Sequence, residues 1–278
     1  MTVTTILDVD WRGVCRRIVE AQSELLSGHS GIGDRAVYEG VGEGGDRALA
    51  IDRRSEDIVF AELERIHAQG HEFVAVSEER GEVAFGRSEQ RVVIDPIDGS
   101  LNARRTVPTF ALSLAVASGP TIADVEVGYV YDFGAREEFW ARKGRGAELG
   151  GSPLGERGPD YGLELVGIEA TKPERLLPLI EGLAGKAYRL RFLGSVAISL
   201  CYVAAGRFDG MLSARHTRSV DVAAAQLIAR EAGASVRLGE VELDDAGLGL
   251  DARYGVAAGL DDELLHTLLG VLPAGSQG

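Results

Sequence analysis

The stretch VVIDPIDGSLN, residues 92–102, decides how the rest of the chain is read. Val92, Val93 and Ile94 form a short continuous apolar run, which predicts a buried strand. Asp95 stands at its carboxyl end, the place where ligands commonly bind in α/β folds. Pro96 stiffens the exit, and Asp98 follows on a turn. The two carboxylates can therefore converge on one cation pair, with the Ile97 carbonyl between them as a further oxygen donor. Gly99 permits close approach of a phosphate, and the Ser100 hydroxyl can hold a water. Oxygen donors suit Mg²⁺ or Mn²⁺, and backbone N–H groups at a turn suit a phosphate. The bland alternative is an acidic Asp-Pro turn followed by an Asx turn.

Working outward, VAVSEERG at 74–81 ends a second apolar run in Glu78 and Glu79. Such a pair is usually solvated surface, unless its strand neighbours the Asp95 strand. Asp221 opens the helical pattern VDVAAAQLIAREAGA, where an acid is favoured as an N-cap. Asp52, just before RRSEDIVF, carries the same ambiguity. Other signals are weak. GVGEGG at 40–45 matches a dinucleotide-loop spacing, but no clear helix follows it. His67 and His71 are separated by the helix-breaking Gly70 and have no third nitrogen or sulfur ligand nearby.

Apolar spacing predicts helices over 8–27 and 53–68, flanking a polar, glycine-rich loop that ends at Asp46. Strand signals then crowd together at 72–76, 91–94, 109–116, 125–131 and 137–141. Beyond Gly158, strands at 163–168, 187–192, 208–212, 234–236 and 254–258 alternate with helices at 173–183, 195–205, 222–231 and 261–271. This predicts an α+β half over 1–157, with an antiparallel sheet, packed on an α/β half over 158–278.

The 278 residues carry a net charge of −14, and of the 29 basic residues only Lys143, Lys172 and Lys186 are lysine. An acidic surface argues against nucleic-acid and membrane partners. The same composition fits a salt-loving source or a GC-rich genome. No apolar run reaches the length of a membrane span, and MTVTTILDVDW lacks a basic n-region and an apolar h-region, so a cytoplasmic protein is expected. Cys15 and Cys201 fall in apolar helical patterns and are expected as buried free thiols.

SEERG at 77–81, VVIDPIDGSLN at 92–102 and SVDVAAAQLIAREAGA at 219–234 together resemble the inositol monophosphatase superfamily of Mg²⁺-dependent, Li⁺-sensitive sugar phosphatases. GGDRALAIDRRSEDI at 44–58, GRGAELGG at 144–151 and RFLGSVAISLCYVAAGRFDG at 191–210 are most similar to its archaeal branch, whose enzymes often hydrolyse both fructose 1,6-bisphosphate and inositol 1-phosphate. The resemblance implies a layered αβαβα sugar-phosphatase fold and two or three Mg²⁺ ions, with Mn²⁺ as a substitute. It assigns metal ligation to Glu78, Asp95, the Ile97 carbonyl, Asp98 and Asp221, and water positioning to Ser100 with Asp52 and Glu78.

By the same resemblance the phosphate cradle is made by the Gly99 and Ser100 N–H groups beside Asp98. Sugar contacts fall to Gly194, Ser195 and Val196, and Arg191 and Arg215 meet ring hydroxyls or a second phosphate. The 28–46 loop becomes a lid offering a weak metal site through Asp46 or Asp52. A homodimer or homotetramer acting on a small phosphate ester is implied. Two departures stand out: Ala103 replaces the usual aromatic, and Ala214-Arg215 replaces an acidic residue that contacts inositol, which favours a more anionic substrate. A 3′-phosphoadenosine or NADP phosphatase, and a regulatory binding protein on the same fold, are the alternatives.

Overall fold

The structure, a computed structural model, describes residues 5–28, 31, 38–41, 47–156, 158, 162–170, 173–213 and 216–272. Arg215, Asp46 and most of the glycine-rich stretch therefore lie outside the described residues. Helix α1 (Trp11–Gly28) comes first. A short hairpin of β1 (Tyr38–Val41) and β2 (Arg47–Leu49) leads into α2 (Ala50–Ala68). Next come β3 (Phe73–Ser77), β4 (Gly81–Phe85), β5 (Arg91–Asp98), α3 (Ser100–Arg105), β6 (Ala111–Ala117), β7 (Val125–Asp132), β8 (Glu137–Arg142), β9 (Ala147–Leu149) and β10 (Ser152–Pro153). Among the described residues these strands form an eight-stranded sheet in the order β10-β9-β8-β7-β6-β5-β3-β4. It is antiparallel except where β3 runs parallel to β5.

The second half holds β11 (Leu163–Glu169), α4 (Leu176–Leu183), β12 (Ala187–Arg191), α5 (Val196–Ala204), β13 (Gly210–Ser213), β14 (Thr217–Arg218) and α6 (Ser219–Glu231). It closes with β15 (Ser235–Arg237), β16 (Arg253–Tyr254), β17 (Ala257–Gly259) and α7 (Asp262–Leu269). A five-stranded sheet runs β12-β11-β13-β17-β15, parallel around β11 and antiparallel around β17.

Side-chain alternation along the central strands sets the layers. Val92 and Ile94 of β5, with Leu112, Leu114 and Val116 of β6, pack on α1 and α2. Val93, Ala111 and Ala115 face the other way, onto α5 and α6. The far side of α5 and α6 meets Met211 and Ala258 of the five-stranded sheet. That sheet's outer face, through Val166, Ile168, Leu212 and Ala257, is covered by α4 and α7. The result is the five-layer αβαβα stack. Small residues make the middle layer tight: α6 presents Ala223, Ala224 and Ala225, and a Cβ at Gly128 of β7 would lie 2.6 Å from the Ala224 carbonyl oxygen.

Several boundaries differ from the sequence expectation. The helix expected from 53 begins at Ala50, so Asp52 stands in its first turn instead of before it. The helix of Asp221 begins at Ser219, because Arg218 in extended backbone is the N-cap. Strand β5 continues past Ile94 to Asp98, where a turn was expected. The strand expected over 254–258 is split into β16 and β17. Both cysteines are buried free thiols. No helix among the described residues is long and apolar enough to cross a membrane.

Candidate active site

The parallel pairing of β3 with β5 puts the carboxyl ends of both strands side by side, with Ser77 opposite Ile94. Glu78, in the turn after β3, is thereby brought beside Asp95. Within β5 the register with β6 slips: Asp95 pairs with Ser113 and Asp98 with Ala111, so three steps on β5 match two on β6. In a regular strand residues three apart point to opposite faces; the extra residue of this bulge returns Asp95 and Asp98 to one face. Pro96 is tolerated there because the bulge asks for no ladder N–H at that position. The intervening Ile97 points the other way, into a small cluster with Leu26, Ile51, Ala103 and Phe110. Gln22 of α1 donates to the Pro96 carbonyl at 3.1 Å and holds the bulge from behind.

Asp98 is buried, and its Oδ2 accepts from the Ser195 hydroxyl at 2.6 Å and the Ala197 N–H at 2.7 Å, at the start of α5. Asp221, also buried, stands in the first turn of α6 and accepts from the Arg218 N–H at 3.3 Å. Asp95 Oδ1 accepts from the Ile97 N–H at 3.0 Å. Burial, then the nearby charges of Glu78, Asp221 and Asp98, push the Asp95 carboxyl well above the usual aspartate range. Glu78, Asp95, Asp98 and Asp221 therefore form one electrostatic unit that calls for positive charge.

Part of that charge comes from the chain itself. The Arg218 guanidinium donates to Glu78 Oε1 at 2.5 Å, and its Nε lies 3.5 Å from Asp221 Oδ1. Burial disfavours its charged form, but Asp221, Glu78 and Asp95 outweigh this and raise its pKa. Glu79, next in the turn, is pushed up to about 7 by burial and by the charges of Glu78 and Glu56. Glu56 of α2 is buried and accepts from the Ser77 hydroxyl and from the Arg80 N–H, which fixes the turn that carries Glu78.

Beyond the carboxylates, Gly99 has φ 89° and is the N-cap of the short helix α3, whose first residue is Ser100. The first-turn N–H groups of a helix have no partner within it, so this turn can offer them to an anion. Asn102 donates to the Thr109 carbonyl at 2.8 Å and the Leu193 carbonyl at 2.7 Å, stapling this turn to the 193–195 segment. Ile51, beside Asp52, packs with Ile97 and Ala103, so the first turn of α2 abuts the same corner.

Other expected residues are placed differently. Ser195 and Val196 are buried, with the Ser195 hydroxyl on Asp98 and the Val196 side chain in the core. Gly194, at φ 77°, donates its N–H to Glu169 Oε2 at 3.0 Å. Arg191 is exposed at the end of the edge strand β12, its guanidinium folded onto the Leu190 carbonyl.

Sequence reading missed Arg218, Glu56 and Glu169. Glu169 ends β11 and takes the Leu193 and Gly194 N–H groups and the Ser199 hydroxyl, so it orders the loop beside Asp98. Its one signal was an acid at a strand's carboxyl end, the same signal that marked Asp95. A cavity of about 590 Å³ lined by Leu26, Phe110, Tyr131 and Phe133 has none of the acids in its wall, though Leu26 and Phe110 also pack with Ile97.

The four acids suit a hard divalent cation: Asp95, Asp98 and Asp221 are buried, Glu78 is partly exposed, and the charges of the other three raise the Asp95 pKa. As they stand, no three acidic, His or Cys side chains among the described residues close around one point. Glu78 is turned to Arg218 and Asp98 to the start of α5, so metal ligation asks for side-chain movement, chiefly of Glu78.

The description of the inositol monophosphatase family matches residues 15–270. A fructose-1,6-bisphosphatase/inositol-1-monophosphatase of Methanothermobacter thermautotrophicus is 32% identical over 276 residues, covering 93% of this chain and 96% of that protein. The Nus factor SuhB of Pasteurella multocida is 34% identical over 201 residues, 69% of this chain and 71% of that protein. A crystal structure of an inositol monophosphatase–fructose 1,6-bisphosphatase superposes with a TM-score of 0.82 at 28% identity, covering 95% of this chain and 100% of that one. By sequence and by fold, this chain belongs to the inositol monophosphatase family.

Proposed function

We propose that the chain is a Mg²⁺-dependent phosphatase acting on sugar or cyclitol phosphate monoesters, with fructose 1,6-bisphosphate and inositol 1-phosphate as first substrates. The observation that carries this reading is the group of buried Asp95, Asp98 and Asp221 with the partly exposed Glu78, gathered beside the Gly99–Ser100 turn. The names of the archaeal relatives support the substrate choice.

The residues divide the work. Glu78, Asp95, Asp98, Asp221 and the Ile97 carbonyl hold Mg²⁺, with Mn²⁺ as a substitute. Bound there, the cation supplies Lewis acidity and an activated water for a phosphate ester. The Gly99 and Ser100 N–H groups cradle the phosphate oxygens. Asp52 and the Ser100 hydroxyl orient the attacking water, with Glu78 nearby, and Ser195 keeps Asp98 in one rotamer. Arg191, once its side chain leaves the Leu190 carbonyl, meets a second phosphate together with Arg215.

The test is phosphate release from fructose 1,6-bisphosphate, inositol 1-phosphate, 3′-phosphoadenosine 5′-phosphate and NADP, with Mg²⁺, with and without Li⁺, and after chelation. Turnover that needs Mg²⁺ and falls at least about 10³-fold in Asp98→Asn supports the proposal. No turnover of any ester by folded, metal-loaded protein overturns it. Preference for the nucleotides would reassign the substrate class. The similarity to a Nus factor favours a second reading, a regulatory binding protein on this fold. A stoichiometric partner together with negligible turnover would establish that one.

A further inference from the structure

We propose that Arg218 competes with the divalent cation for Glu78 and Asp221, acting as an internal counter-ion that must swing away when metal loads. This deepens the metal-dependent reading above and rests on it. The guanidinium takes Glu78 Oε1 at 2.5 Å and approaches Asp221 Oδ1 at 3.5 Å, and both carboxylates are ones that reading gives to the metal. The Glu78 lone pair directed at the guanidinium is not available to a cation in the same place, while the guanidinium's approach to Asp221 is electrostatic, without a hydrogen bond. The pairing is shielded: the Arg218 side chain is 13% exposed, Glu78 15% and Asp221 1%, so water screens it little. The guanidinium touches both Glu78 and Asp221, and among the described residues no three acids close around one point.

The chain is built to release this contact. The Arg218 main chain is fixed as the N-cap of α6, its N–H on Asp221 Oδ2, while the side chain is long and flexible. It can leave the carboxylates for solvent without moving the helix. Without such a counter-ion, the crowded carboxylates would repel one another in the unloaded protein. Arg218 thus keeps the unloaded fold intact and weakens metal affinity by the same contact.

The test is isothermal titration of chelator-treated full-length protein with Mg²⁺ alone and with Mn²⁺ alone, on wild type, Arg218→Ala, Arg218→Gln and Arg218→Lys. Removing the charge tightens metal binding by about tenfold or more, as loss of one charge-assisted hydrogen bond predicts, while Arg218→Lys stays near wild type. Thermal melting without metal is lower for Ala and Gln than for wild type, and saturating Mg²⁺ closes the gap. Wild-type binding that is unchanged or weaker in folded Ala and Gln variants overturns the inference and makes Arg218 a positioning residue for Glu78. Absence of binding by wild type and every variant overturns the metal-dependent reading itself.

Discussion

At the scale of single residues, the site depends on how few alternatives each position tolerates. Gly99 combines φ 89° with a Cβ position that would lie 2.9 Å from the Thr109 carbonyl oxygen. Gly99→Ala therefore costs about 1–3 kcal/mol in thermal or urea unfolding. It also displaces Ser100, lowering kcat for the preferred phosphate ester by roughly 10²-fold. Measuring stability and kcat on the same preparation checks both effects. Residues such as Asp95 and Asp98 were legible in the sequence, because an acid ending an apolar run has few structural reasons to be there. Arg218 was not, since an arginine at a helix start reads as solvated surface until the fold brings Glu78 to it. Glu169 was hidden in the same way: only the tertiary fold shows that its carboxylate orders the segment beside Asp98.

At the scale of elements, helix α1 is held to the sheet by more than its apolar face. Arg12 and Arg16 donate to the two carboxylate oxygens of Glu138 on β8 at 2.9 and 2.8 Å. Burial raises the Glu138 pKa, but the hydrogen bonds from Arg16 and Arg12 outweigh it and hold the carboxyl below its usual range. A carboxylate lowered on folding stabilises the protein above its unfolded-state value, and that gain is lost as pH falls through the folded value. Glu138→Gln accordingly loses about 1 kcal/mol at neutral pH, a modest figure because Arg16 is largely exposed. The gap between the melting curves of the two proteins narrows as pH falls below the ordinary glutamate range, towards the lowered value of the folded state.

Long periodic helices and apolar strands were readable from spacing at this scale. The short strands β9 and β10 were not, being too brief to show a period, and neither was the bulge in β5. A bulge is a disagreement in register between two strands, which one strand's sequence does not display.

For the molecule as a whole, the layer of α5 and α6 between the two sheets joins the site to the core. The order of layers was implied by the family resemblance. The closeness of the middle layer was not legible, because it depends on Gly128 and Ala224 meeting across about a hundred residues. Gly128→Ala must lift α6, the helix that carries Asp221. It costs about 1–3 kcal/mol in stability, read by calorimetry, and weakens Mg²⁺ binding in the same protein. The long separations have a kinetic consequence as well. Asp98 meets Ser195 across 97 positions, and Arg218 meets Glu78 across 140. Closing loops of that length gains nothing until both sheets and the helices between them are in place. The acidic centre is therefore assembled at the end of folding, and a cation bound there would mark chains that have completed it.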